Sequence, residues 1–161
     1  MSTALCLEVE LQPEWDNVTR ASEAVALLAL GSYGDGDLRD ALAMVSGELL
    51  ENAIKYASPQ TLVKLAIRES ASAIVVEVTN AIVGNEEIQR LADQLAWLAS
   101  HQDPAEAWAA ALAQVTTERR ERGGLGILRI ANEGGSRIDY AVPSPGVLTV
   151  RASMSKAPAN E

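Results

Sequence analysis

Apolar residues recur along this chain in two periods, and the switches between them mark out its elements. Residues 4–11, Ala-Leu-Cys-Leu-Glu-Val-Glu-Leu, come to alternate apolar with acidic and predict a strand, because alternate side chains of a strand share a face. Pro13 opens a stretch with Val18, Ala21, Val25, Leu28 and Ala29 at helical spacing, which Gly31-Ser-Tyr-Gly-Asp-Gly breaks. Asp37 is placed to N-cap a second helix whose stripe is Leu42, Val45, Leu49 and Ala53, and Ser58-Pro59 stops it. Residues 61–68 and 73–80 read as two strands, and Glu69-Ser-Ala-Ser suits a hairpin between them.

Helical spacing then returns in two stretches. Ile88, Leu91, Leu95 and Leu98 form one stripe, interrupted at Ser100-His-Gln-Asp-Pro. Asp103, Pro104 and Glu106 have the order of an N-cap, an N1 proline and a capping glutamate, and Trp108, Ala111, Leu112 and Val115 make the second stripe. These predict a helical hairpin inserted between two halves of a sheet, with Trp97 and Trp108 anchoring it to the body or facing a partner. Arg122-Gly-Gly-Leu-Gly-Ile-Leu-Arg-Ile-Ala-Asn-Glu-Gly-Gly135 runs from glycines into a helix, and residues 137–142 and 147–154 close the chain as strands. The order predicts an α+β, two-layer α/β sandwich: a mixed, mostly antiparallel sheet of about five strands with helices on one face. Residues 1–154 form the single domain, 85–122 its helical insertion, and 155–161 a frayed tail.

Composition narrows the function classes. The 161 residues suit one domain, and 48% apolar content supports a core. A formal charge of −9 with no long basic run disfavours nucleic acid and an anionic membrane surface. The single cysteine, Cys6, and single histidine, His101, offer no disulfide and no metal cage. The start lacks a signal-peptide pattern and no apolar run reaches a span of about 20 residues, so the expectation is a cytoplasmic protein.

Chemistry concentrates in the second helix. Glu48, Asn52 and Lys55 stand at offsets of four and seven residues, on a stripe beside the apolar one. A carboxylate, an amide and an ammonium together offer a base, a neutral oxygen ligand for a hard cation and a positive charge. Solvation is the plainer reading of surface Glu and Lys, but Asn52 is a poor interior helix residue with no cap to make. Gly123, Gly124 and Gly126 precede a helix, where backbone N–H groups can cradle phosphate; a flexible loop is the even alternative.

The two segments together resemble the GHKL (histidine kinase-like) ATPase superfamily. Glu48…Asn52, continued by Ala-Ile-Lys-Tyr, is similar to its ExxxN box; Gly124-Leu125-Gly126-Ile127 is similar to its glycine box; Gly134-Gly135 falls where such domains turn into the next strand. The short chain and its β-α-α start look most like the anti-sigma-factor serine/threonine kinase branch. The resemblance implies the histidine kinase-like ATPase fold, with Asn52 holding Mg²⁺ on ATP, Glu48 as catalytic base and Lys55 neutralising phosphate. It also implies that Gly123, Gly124, Leu125 and Gly126 cradle the phosphates under the lid 85–122. The adenine box departs from the family pattern: Asn80 stands for its aspartate, Ile82 for its middle glycine, and only Gly84 remains. Asn80 could still accept from adenine through its carbonyl oxygen, whereas Ile82 could fill the adenine pocket. Two functions follow as expectations. One is an ATP·Mg-binding protein kinase with a protein partner, a sigma factor or an anti-anti-sigma (STAS) protein. The other is a degenerate domain that binds such a partner without ATP. A homodimer is compatible with either.

Overall fold

The computed structural model describes residues 5–114 and 125–156. In chain order its elements are β1 (Cys6–Leu11), α1 (Trp15–Tyr33), α2 (Asp37–Tyr56), β2 (Val63–Glu69), β3 (Ala73–Ala81), α3 (Glu86–Ala99), α4 (Pro104–Ala113), α5 (Leu125–Asn132), β4 (Ser136–Ser144) and β5 (Val147–Ser155). The strands lie in the order β1-β2-β3-β5-β4. Every pairing among them is antiparallel, so the parallel pairing that a mixed sheet would contain is not present among the described residues. In chain terms β1 returns as β2 through the α1–α2 hairpin, tight turns join β2 to β3 and β4 to β5, and β5 reaches its place beside β3 only after β4.

Alternation decides which face the helices cover. Ile74, Val76, Val78 and Asn80 of β3 point into the core together with Leu65 and Ile67 of β2 and Leu148, Ala152 and Met154 of β5. The opposite face carries a ladder of charges across neighbouring strands: Glu8 with Lys64 at 2.8 Å and Arg68 at 3.2 Å, Arg68 with Glu77 at 3.1 Å, and Arg151 with Asp139 at 2.7 Å. Such exposed pairs add little stability, but they shield a sheet face that no helix covers.

The helical layer follows its stripes. Leu42, Val45, Leu49, Leu50, Ala53 and Ile54 bury α2 between the sheet and α1, and Val18, Ala21, Val25 and Ala29 bury α1. Leu28 departs from the expected stripe and stands 42% exposed. Asp37 is the first residue of α2 rather than its cap: Gly36 holds the cap position and no side chain caps the helix. At α4 the expected cap forms, with the Glu106 N–H donating to Asp103 Oδ1 at 2.8 Å and Glu106 accepting from the Gln102 N–H at 3.1 Å. The buried residues of α4 are Ala107 and Ala111, while Leu112 is 49% exposed and Val115 lies outside the described residues.

The inserted hairpin docks on the body in two places. Leu91 of α3, with Ile88 and Leu95, joins the main core. Ala107 and Ala111 of α4 form a second cluster with Leu128 of α5, flanked by Trp97, Leu98, Trp108 and Leu125, so both tryptophans serve as anchors.

Ser155 and Lys156, the two described residues of the expected tail, are held by the body, and residues 157–161 lie outside the described residues. Ser155 closes β5, and the Lys156 N–H donates to the Ser72 carbonyl at 3.0 Å. Its ammonium pairs with Glu69, a carboxylate that also accepts from the Leu5 N–H at 2.8 Å and the Tyr33 hydroxyl at 2.7 Å. These donors, the Leu5 amide first, hold the Glu69 carboxyl down at about 2.

Candidate functional site

Backbone contacts bring the end of α2 beside the end of β3: the Ser58 N–H donates to the Ala81 carbonyl at 2.8 Å, and Ala57 forms a β-bridge with Ile82. The Ile82 N–H in turn donates to the Gly146 carbonyl of the β4–β5 turn at 2.8 Å. Asn52 and Asn80, 28 residues apart in sequence, consequently line the same small cavity. Leu49, Ala53, Val78 and Ile127 supply its apolar walls, and Glu87, Arg90 and Leu91 of α3 complete it. The cavity measures about 20 Å³. That is room for roughly one water and far below the roughly 300–1,000 Å³ of ligand pockets.

This is where the resemblance expects adenine, and a purine ring does not fit the arrangement described. The cause is not the residue singled out from sequence. Ile82 is 7% exposed, packs in the main core and forms a β-bridge with Ala57, and it is not among the residues lining the cavity. The closure comes from α3. Leu91, only 2% exposed, enters the core, and the Arg90 guanidinium lies 4.2 Å from the Tyr56 ring centroid. Glu87 braces Arg90 through two bonds, at 2.8 and 3.2 Å, and burial pushes its carboxyl up against the opposing pull of Arg90 and Lys55. Asn80, 3% exposed, donates from Nδ2 to the Ala81 carbonyl at 3.2 Å, which leaves its Oδ1 as an acceptor. Gly84 is exposed in the β3–α3 connection with φ +72° and lines neither this cavity nor the groove beside it.

On the other side of Asn52 lies an open groove of about 360 Å³, bordered by Trp15, Glu48, Glu51, Lys55, Leu125 and Gly126. Here the sequence-predicted residues do come together. Glu48, Asn52 and Lys55 share the α2 stripe, and α5 crosses it so closely that a Cβ on Gly126 would stand 2.8 Å from Glu48 Oε2 and 3.6 Å from Asn52 Nδ2. Gly123 and Gly124 lie outside the described residues.

Glu48 already has a partner. Arg129 Nη1 of α5 donates to Glu48 Oε1 at 2.8 Å, while its Nε donates to Glu133 at 2.9 Å. The Glu133 and Glu48 carboxylates push the Arg129 guanidinium up, so it stays charged. Loss of water around Glu51 and the neighbouring Glu48 charge push the Glu51 carboxyl up, against Arg129. Among the described residues no group of three or more His, Cys, Asp or Glu side chains could hold a metal ion. Asn52 offers a cation here a neutral oxygen, beside Glu51 on the groove's border and Glu48, which is paired with Arg129.

Arg129, Arg90 and Glu87 were not singled out from sequence. Arg129 and Glu133 did carry a signal, the four-residue spacing of a helical ion pair. Its reach to Glu48, 81 positions away, is tertiary.

With the geometry in hand, known proteins add one finding. No protein-family profile matches the chain, and no curated protein matches its sequence. Among solved structures it is similar to a chain of the SiaB–SiaC complex from Pseudomonas aeruginosa, with a TM-score of 0.71 and 19% identity. The match covers 95% of this chain and 90% of that one. At that identity the likeness shows a shared fold. No helix among the described residues is long and apolar enough to cross a membrane.

Proposed function

We propose that the chain is a regulatory domain of GHKL descent that acts by binding a protein partner, with its nucleotide site closed in the form described. The observation that carries this reading is the cavity of only about 20 Å³ where adenine would have to enter, walled on one side by Arg90 and Leu91 of the chain's own α3. The ion pair between Glu48 and Arg129 supports it, because a carboxylate held by a guanidinium is a poor base. A protein partner is supported by the neighbour of like fold, which was solved in a complex of two proteins. Exposed Trp15, Leu27, Leu28 and Leu30 on α1 are the kind of side chains that anchor protein interfaces. A sigma factor or a STAS-type protein is the class of partner to try first.

The test is a thermal-shift titration with ATP·Mg²⁺, followed by partner binding without nucleotide. One-site binding stabilises by about 2.7 kcal/mol at a hundredfold excess over Kd. The expected result is no shift at millimolar ATP·Mg²⁺ together with partner capture in its absence. A saturable shift in the wild-type chain, lost in Asn52→Ala, would instead support the kinase reading.

A further inference from the structure

The sheet has two outer strands, β1 and β4, and the charges on its uncovered face differ between them. One row of directly opposed residues crosses that face: Glu8 of β1, Ala66 of β2, Glu77 of β3, Arg151 of β5 and Asp139 of β4. On β2 the charge comes from the residues flanking Ala66: Lys64 reaches Glu8, and Arg68 reaches both Glu8 and Glu77. The sign therefore changes at every strand, and the row ends on a negative charge at β4. Although Arg151 holds it at 2.7 Å, the Asp139 side chain is still 54% exposed. Two residues earlier on the same face stands Arg137, exposed and without an ion pair among the described residues. The β4 backbone is paired on one side only, by β5, among the described residues. That pairing is regular over residues 136–141, and its register shifts before Ser144, around Pro143.

We infer that the open edge of β4 is the seat of a second copy of this chain. The two β4 strands pair antiparallel about a two-fold axis at Ile138, with Arg137 opposite the partner's Asp139. An axis normal to the sheet keeps every residue on its own face and makes each contact occur twice. With Ile138 on the axis, Arg137 faces the partner's Asp139 and Asp139 faces the partner's Arg137. The alternation of sign then continues from Arg151 through Asp139 into the second copy. A slip that moves the axis to Arg137 or to Asp139 would set that residue against its own like charge, so the charges select one register. On the helical side Ile138 would meet its copy and Ser136 the partner's Tyr140, which extends the apolar layer that Ile138 and Tyr140 already join. The β1 edge does not offer this. Its residues on the uncovered face are Cys6, Glu8 and Glu10, and no two-fold register of these opposes unlike charges. Glutamates thus protect β1 against edge pairing, whereas β4 carries the complement of its own charges.

The experiment is sedimentation equilibrium of the full chain over a range of concentrations, with circular dichroism to verify each variant's fold. The wild type should approach the mass of two chains as concentration rises. Arg137→Glu, at a residue with no ion pair to lose in its own chain, opposes like charges at both symmetric contacts and should weaken the dimer at least about tenfold. Asp139→Lys should do the same. Mixed in equal amounts, the two variants should associate to within about threefold of wild type, because each introduced charge then faces an opposite one across the axis. Glu10→Lys, on the other edge, should leave the wild-type constant unchanged. A wild type that stays monomeric up to about 1 mM overturns the inference. So does a dimer indifferent to Arg137→Glu, one weakened as much by Glu10→Lys, or a mixture no tighter than its components. Should a variant fail to fold, the wild type at about 1 M salt decides: screening should weaken the dimer at least about threefold, and a dimer insensitive to salt overturns the pairing.

Discussion

The two cavities that meet at Asn52 differ by more than tenfold in volume, about 360 Å³ for the groove and about 20 Å³ for the closed cavity. In sequence the ranking is the same but the reasons are not. The groove holds the residues that look kept, Glu48, Asn52, Lys55 and Gly126, yet Glu48 is committed to Arg129. The closed cavity lies beside the residues that look altered, Asn80 and Ile82, yet neither closes it; α3 does. A motif thus reports which side chains are near one another, while occupancy of the space between them depends on whichever element packs there.

Breaking the comparison begins with its closed side, where the walls are core. Leu49→Ala should cost about 3 kcal/mol, read as a lowered urea midpoint at unchanged slope, because a fully buried leucine leaves a cavity that α2 and β3 cannot collapse. A loss under about 1 kcal/mol would mean that this side is loosely packed.

A carboxylate that serves the fold alone gives the next largest effect and a standard against which to judge Glu48. Glu69→Gln should cost about 2 kcal/mol, since it weakens charge-assisted bonds to Leu5, Tyr33 and Lys156 around a side chain only 6% exposed. Its pH dependence has a definite sign. The folded carboxyl lies at about 2, below its ordinary value of 4.5, so its contribution is fully present above about 4.5 and is lost as pH falls toward 2. Acid unfolding of Glu69→Gln should be correspondingly flatter in that window, and an unchanged profile would remove Glu69 from the account.

Effects on the open side should be smaller. Glu48→Gln breaks an ion pair whose arginine is 44% exposed, so the expected loss is about 0.5 kcal/mol in thermal unfolding, shrinking with salt. A loss above about 2 kcal/mol would make the Glu48–Arg129 contact a structural keystone rather than a groove-side pair. Smallest of all is Gly126→Ala. The new methyl would meet Glu48 Oε2 at 2.8 Å, but that atom ends a flexible side chain, and alanine favours the helix by up to about 1 kcal/mol. A net change within about 0.5 kcal/mol is expected. A large loss would show that α5 and α2 cannot part at this crossing.

Much of the architecture was legible along the chain because burial imposes a period. The α2 stripe Leu42, Val45, Leu49, Ala53 repeats without interruption and the run from Ala73 to Asn80 is rich in β-branched residues, and both elements form where expected. Local polar chemistry was legible where it closes within one turn, as at Asp103 and Glu106. Asp37 shows the limit: a cap needs one backbone geometry as well as a residue type, and Gly36 took the position. Leu28 and Leu112 show another, since an apolar residue at a stripe's margin is buried only if a neighbour arrives to cover it.

By itself, then, the sequence determined the order of elements, the inward face of α2, and the stripe that carries Glu48, Asn52 and Lys55. Those are properties of period and spacing within single elements. Tertiary structure alone decided that Arg129 takes Glu48, that Glu69 gathers Leu5, Tyr33 and Lys156, and that α3 rather than Ile82 closes the cavity beside Asn80. Each of these joins groups far apart in the chain. Their meeting depends on how whole helices and strands settle against one another, and no local pattern encodes that.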